Sequence, residues 1–334
     1  MPFSIVQTVR YVRIYADNQP GFTTMSETNY IKILKTSIFK ILAYFARNLA
    51  NRGLGKIPLL KNIYDYLYRN VAIDEAIINV YGSRMIVRVS DNDEVSSHLL
   101  YSRNGYEHYQ TDLFQKLVTK GLTVIDIGAN IGYYTVLAAS LVGDKGKVFA
   151  FEPEPQNYAL LVRNIELNGY KNVTLVRKAV SSKNNRTDLF INRATGAHSI
   201  LSGHADTVQV TPIETVKLDQ YFRGRESPID IVKIDVEGTE LDVIKGMTNI
   251  IKNNDNLKIF TELFCTGGAH QFKFLEEFWE VFIASGFKFI YLINERARRL
   301  DVMDRLSLLR YCKYISSAKI SSPNLLCTKS KIYT

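Results

Sequence analysis

The chain is poor in cysteine and has no long uncharged apolar run. Cys265, Cys312 and Cys327 are its three cysteines in 334 residues, and they form neither a CxxC pair nor a metal-like spacing. An odd, sparse set gives no disulfide framework and fits a reducing compartment. No metal site is expected. No stretch reaches the roughly 18 uncharged residues that a membrane span requires. Met1–Ala16 carries Arg10 and Arg13 inside its one apolar run, which does not read as a signal peptide. A cytoplasmic protein is the expectation. Internal repeats and low-complexity tracts are also missing. What remains is ordinary for a soluble protein with a normal core, with 46% apolar and 22% charged residues.

The net charge of +9 is unevenly placed. Residues 1–70 carry +7, residues 296–334 carry +7, and residues 71–295 carry −5. Basic ends can favour an anionic membrane surface or nucleic acid, or serve only as a soluble surface. Over residues 31–50, Ile31, Leu34, Ile38, Ile41, Leu42, Phe45 and Leu49 recur at helical spacing, with Lys32, Lys40 and Arg47 elsewhere. Such a basic amphipathic helix can lie peripherally on a membrane, though more often it packs on its own domain or on a second subunit. Gly53, Gly55 and Pro58 break it, and a second helical stretch follows over 59–69. Residues 1–70 therefore read as a basic helical extension, and 71–334 as one larger domain.

That domain begins with a hairpin, Ile77–Tyr81 and Met85–Val89 around Gly82-Ser83. Asp91–Glu94 reads as a solvated turn and Tyr106–Leu117 as a helix. From Val124 onward strands and helices alternate, which predicts a doubly wound, mostly parallel α/β sheet covered on both faces. The predicted strands are Val124–Ile127, Lys147–Phe151, Val173–Val180, Ile229–Ile234, Lys258–Leu263, Phe287–Ile293 and Asn324–Thr328. Asp188–Asn192 and Val208–Thr211 form an antiparallel insertion, and Asn168-Gly169 closes the helix after the second strand. The aromatic stripe Phe272, Leu275, Phe278, Trp279 and Phe282 reads as core.

The chemistry centres on VIDIGANIGYYTVLAA, Val124–Ala139. A β-branched strand runs into Gly128, Asn130 and Gly132 at alternate positions, and then into a helix start. Such a turn points backbone N–H groups at an anionic ligand. Glu152 ends the next strand, 24 residues past Gly128, where a carboxylate can accept both hydroxyls of an adenosine ribose. A dinucleotide fingerprint needs a second glycine where Asn130 stands, so a small anion such as an amino-acid carboxylate fits better than a pyrophosphate. An adenosine joined to an amino-acid end is S-adenosylmethionine.

Taken in order, VIDIGANIGYYT, VFAFEPEPQNYALLVRNIELN, VRKAVS and IDIVKIDVEGTELDVIKGM resemble the FkbM-type methyltransferases over roughly residues 75–295. That resemblance implies a class I, Rossmann-like fold of seven strands whose last is antiparallel, S-adenosylmethionine as cofactor, and O-methylation of a small hydroxylated substrate. It implies that Gly128, Asn130 and Gly132 line the methionine end and that Glu152 holds the ribose. Ala179 and Val180 would flank the adenine, and Asp235 would face the methionyl ammonium or the sulfonium surroundings. Glu107, in a G-x-E pattern, could reach the methionine group, and Asp126 is a weaker candidate that could merely bond amides of its own turn. A hydroxyl acceptor must lose its proton, and the bases on offer are His198, Glu237, Glu262 and His270. The acceptor would be a small molecule, glycan or lipid. Three other readings stay open. A nucleic-acid methyltransferase is disfavoured by the acidic body and by IDVE where an NPPY-like tetrapeptide would stand. A non-catalytic scaffold would bind the cofactor weakly or not at all. A NAD enzyme is disfavoured by the Asn130 spacing.

Overall fold

Apolar β-branched segments alternate with amphipathic helices from Thr123 onward, and they build one eight-stranded sheet. The computed structural model describes residues 35, 38, 74–89, 94–101, 106–192, 198–201, 207–225, 227–263, 269–318 and 322–332. Lys35 and Ile38 are helical, and the rest of the helices expected over 31–50 and 59–69 lies outside the described residues. The chain divides into two compact units. One comprises residues 1–76, 87–91 and 96–105, and the other residues 77–86, 92–95 and 106–334. Within the described part of the first, Ala76, Val87, Leu99 and Leu100 are buried, and buried Ser96 accepts the Arg88 N–H.

The hairpin strands are β1 (Glu75–Val80) and β2 (Ser83–Arg88), followed by α1 (Glu94–Tyr101) and α2 (His108–Leu117). The alternating part runs β3 (Thr123–Ile127), α3 (Tyr133–Val142), β4 (Lys147–Phe151), α4 (Pro155–Asn168) and β5 (Val173–Val176). An insertion follows with β6 (Ala179–Val180), β7 (Asn185–Asn192) and β8 (Thr207–Val216). Then come α5 (Leu218–Tyr221), β9 (Ile231–Ile234), α6 (Glu240–Gly246), α7 (Thr248–Asn253) and β10 (Lys258–Glu262). The described part closes with α8 (Ala269–Ala284), β11 (Phe289–Asn294), β12 (Arg299–Met303), α9 (Arg305–Ala318) and β13 (Asn324–Thr328).

The sheet order is β12-β11-β13-β10-β9-β3-β4-β5. Strands β5, β4, β3, β9 and β10 are parallel, and β13 runs antiparallel to both β10 and β11. The expected seven-stranded sheet is thus present and carries an eighth strand, β12, paired antiparallel to β11 within the Arg-rich segment. The third strand also differs from its predicted span. It leaves the sheet at Val176, where the Lys178 N–H turns back to the Val176 carbonyl at 3.0 Å. Ala179 and Val180 then pair with Thr215 and Val216 in a separate sheet of order β6-β8-β7. The hairpin turn lies one residue earlier than Gly82-Ser83. Tyr81 and Gly82 both have positive φ, 46° and 88°, as a two-residue turn that follows the strand twist requires. The helix after β9 breaks at Met247 into α6 and α7.

Strand residues alternate between two faces. Ile125, Ile127, Val232, Ile234, Ile259 and Leu325 join a large apolar core with Phe278, Phe282 and Leu308. The opposite face carries Asp126 and Lys233, cross-strand partners on β3 and β9. There Phe114 of α2 meets Tyr134 of α3 and Phe260 of β10 edge to face, at centroid distances of 5.0 and 5.5 Å. Among the described residues no helix is long and apolar enough to cross a membrane.

Candidate active site

Because β3, β4, β9 and β10 are parallel, Gly128, Glu152, Asp235 and Glu262 all fall at the same edge, where open α/β sheets bind ligands. After β3 the Gly128 and Ala129 N–H groups both donate to the Phe151 carbonyl at 2.9 and 3.0 Å, which folds the turn across the end of β4. Gly128 has φ 76°, and a Cβ there would stand 1.8 Å from the Asp235 carbonyl oxygen. Gly132 has φ 96°, and its Cβ would meet Leu161 at 2.5 Å. Only glycine permits either approach. Asn130 also adopts a left-handed φ of 51°, which a side-chain amide tolerates better than most residues. Its N–H donates to Glu152 Oε2 at 2.7 Å. The other carboxylate oxygen of Glu152 accepts the Glu154 N–H at 2.9 Å. The acid is buried, and burial pushes it up to about 8 against the pull of these two amides. The N-cap of helix α3, Gly132, offers no side-chain cap, and in its first turn the Thr135 N–H bonds Asp126.

Under this edge lies a buried charge network. Lys233 interrupts the apolar strand IVKI and is 5% exposed. Its ammonium donates to Asp235 Oδ2 at 2.6 Å and sits 4.7 Å from the centre of the Tyr134 ring. The Tyr134 hydroxyl donates to Glu107 Oε2 at 2.7 Å, Gln110 Nε2 donates to the same oxygen at 2.8 Å, and Asn324 Nδ2 donates to Oε1 at 3.1 Å. Glu107 is held in a left-handed φ of 41° at the start of α2. The carboxylate of Glu295 anchors that helix start by accepting the Tyr109 and Gln110 N–H groups, each at 2.8 Å. Asp126 accepts the Thr135 hydroxyl at 2.6 Å, so its hydrogen bond reaches into α3. Burial raises both Glu107 and Asp126, and the Lys233 charge opposes the rise in each. Burial would lower Lys233, yet Asp235, Glu107 and Asp126 together hold it above its usual range.

Beyond the network the edge is acidic. Asp235, Glu237 and Glu262 bring one carboxylate oxygen each within 4.8 Å of one another, close enough for one divalent cation to bridge them. Burial, then Asp235, Glu237 and Glu107, push Glu262 up to about 10, with Lys233 opposing. Glu237 has φ 51°, and its carbonyl accepts the hydroxyl of Ser199 at 2.8 Å. Ser199 belongs to the insertion, so the small sheet is pinned to this loop. Next to it, His198 Nδ1 accepts the Asn192 N–H at 3.2 Å. His270 lies in the first turn of α8. Ala179 and Val180 are buried in the small sheet.

The geometry brings Glu107, Asp126, Gly128, Asn130, Gly132, Glu152, Asp235, Glu237 and Glu262 to one edge or directly beneath it. Lys233, Tyr134, Asn324, Glu295 and Ser199 are additions that the motif reading passes over. The one local signal among them is Lys233, a charge inside an otherwise apolar strand. Asn324 and Glu295 meet their partners across 217 and 185–186 residues of sequence.

Residues 126–291 match the family described as the Methyltransferase FkbM domain. They form an FkbM-type methyltransferase domain. Residues 71–179 also match the family described as Protein-L-isoaspartate(D-aspartate) O-methyltransferase, and the shared part, 126–179, is the half that carries the glycine turn and Glu152. The Hexuronic acid methyltransferase AglP of Haloferax volcanii is 32% identical over 131 residues, which cover 38% of this chain and 51% of that protein. A Protein-L-isoaspartate O-methyltransferase of Methanococcoides burtonii is 41% identical over 59 residues, 18% of this chain and 29% of that protein. The chain thus spans about half the length of the first relative and less than a third of the second. Among solved structures, an S-adenosylmethionine-dependent O-methyltransferase from Thermotoga maritima aligns with a TM-score of 0.39 at 16% identity, over 81% of this chain and 83% of that one. The cofactor of an FkbM-type domain is S-adenosylmethionine.

Proposed function

We propose that the chain transfers a methyl group from S-adenosylmethionine to a hydroxyl oxygen of a small molecule, glycan or lipid. The observation that carries the reading is the 2.7 Å bond between the Asn130 N–H and Glu152. It makes the glycine turn and the ribose-reading acid one assembly, with carboxylate lone pairs left for two ribose hydroxyls. The residues fit the cofactor at its other end as well. The uncapped start of α3 suits a carboxylate, and Asp235 suits an ammonium. Ala179 and Val180 supply apolar surface for an adenine. A sugar hydroxyl is the favoured acceptor, because the relative from Haloferax volcanii is named for a hexuronic acid.

When bound, S-adenosylmethionine supplies an electrophilic methyl on a cationic sulfur. The chain's residues do the rest by positioning and by handling one proton. Glu262 is our choice of base. It ends β10 at the ligand edge, and burial beside three carboxylates makes it a strong proton acceptor once ionised. Glu237 stands beside it as the alternative. His198 is a weaker choice, since its Nδ1 already accepts a backbone N–H. The test is a methyl-transfer screen with labelled cofactor over glycan, lipid and hydroxyl-rich extracts and over RNA, followed by mass analysis of the product. Label on a hydroxyl oxygen supports the reading, whereas label on RNA bases or no transfer to any fraction overturns it.

A further inference from the structure

The network contains three carboxylates, the buried Asp126 and the part-exposed Glu107 and Asp235, and one buried ammonium, Lys233. A buried ammonium persists only when it is paired. Lys233 has one direct acceptor among the described residues, Asp235 Oδ2 at 2.6 Å, and one ring beneath it, Tyr134 at 4.7 Å. The same ring ends in the hydroxyl that holds Glu107. One ammonium thus touches both arms of the site, the strand-end acid directly and the α2 acid through a single side chain. Glu262 at the end of β10, Glu237 in the loop after β9 and Glu240 at the start of α6 place further carboxyl groups around Asp235.

We propose that Lys233 is a positioning residue, holding Asp235 aimed, and Glu107 in register with it, toward the ammonium of the cofactor's methionine end. The inference rests on the methyltransferase reading above. It differs from a purely structural role in one respect. The structural role would weaken every ligand of the site alike, whereas the positioning role spares a ligand that lacks the methionine group. Adenosine is that ligand, since it keeps the ribose for Glu152 and the base, and has no ammonium.

Calorimetry on the full chain with S-adenosylmethionine and with adenosine tests it. Lys233→Met should weaken S-adenosylmethionine by about tenfold or more, the worth of a charge-assisted hydrogen bond, and leave adenosine within about twofold. Lys233→Met/Asp126→Asn restores the charge count and guards against a misfolded single variant, with Asp126→Asn alone as its reference. The double variant should keep the selective loss. Recovery of S-adenosylmethionine affinity in it would show that the lysine merely offsets Asp126, and that overturns the proposal. Parallel loss of both ligands overturns it too. If neither lysine variant folds, Asp235→Asn must reproduce the selective loss, and unchanged selectivity there sinks the idea. A wild-type chain that binds neither ligand removes the methyltransferase reading itself, and this inference with it. A wild-type chain that binds both, beside variants that lose neither, removes the lysine's role alone.

Discussion

One face of the eight-stranded sheet is mainly apolar, whereas the other carries a lysine and acids beneath the ligand edge. On the first, Ile125, Val232, Ile259, Phe278 and Phe282 are fully buried, and the Phe278 and Phe282 rings lie 4.4 Å apart. On the second, Asp126 and Lys233 occupy the same strands at neighbouring positions. The alternation of a strand makes this division possible, since adjacent residues serve opposite faces without disturbing each other's packing. The apolar face supplies burial, which does not depend on pH or salt. The charged face holds buried carboxyl groups, whose ionisation burial opposes, beside a lysine whose charge the acids favour. We propose that stability rests mainly on one face and recognition on the other.

Four experiments would break or sharpen that contrast. Phe278→Ala should cost about 3–5 kcal/mol by denaturant unfolding, from the lost transfer free energy and the cavity left behind. The surviving folded protein should bind S-adenosylmethionine as the wild type does, and a large affinity change would blur the two faces. Glu152→Ala should weaken the cofactor by about ten- to a hundredfold in calorimetry, the loss of hydrogen bonds to a charged acceptor. Unchanged affinity would count against its ribose role.

The third experiment is a pH scan. Glu152 and Glu240 are both raised by burial from 4.5, to about 8 and about 7. A carboxyl raised on folding contributes stability that is complete below about 4.5 and is lost as pH rises through its folded value. The melting temperature should therefore fall by about 6 °C between pH 6 and pH 9. Glu152→Gln and Glu240→Gln should each flatten part of the slope, and an unaltered slope would place the pH dependence elsewhere. The smallest effect is expected from deleting residues 1–70, which we propose to be a separate basic extension. Cofactor affinity should stay within about twofold. A truncated chain that folds but cannot bind would refute that division.

Features written in local chemistry were legible beforehand. Lys147–Phe151 and Asn324–Thr328 are strands over the very residues predicted, and Gly169 closes α4 with φ 69°. The glycine turn stands where its spacing places it, because left-handed φ and close backbone approach leave few other residues possible. Features that depend on distant partners were not legible. Val173–Val180 looks continuous in apolar pattern, yet whether Ala179 stays in the sheet depends on Thr215. The strand β12, RLDVM, hides among arginines because its neighbour β11 decides it. Tyr81 at φ 46° conceals a turn, since tyrosine rarely marks one. In the site, Glu152, Asp235 and Glu262 were readable as strand ends, but the lysine beneath them was read only as part of a motif.

The position of β13 bears on how the molecule is made. Among the described residues it follows every other strand, yet it lies between β10 and β11, with Leu325, Leu326 and Cys327 fully buried. A ribosome delivers β10 well before the strand that must flank it. Until residue 328 has emerged, one side of β10 exposes unpaired backbone, and β11 has nothing to join it to the parallel strands. The nascent chain must wait, open along that seam, for β13 to arrive and lock the sheet.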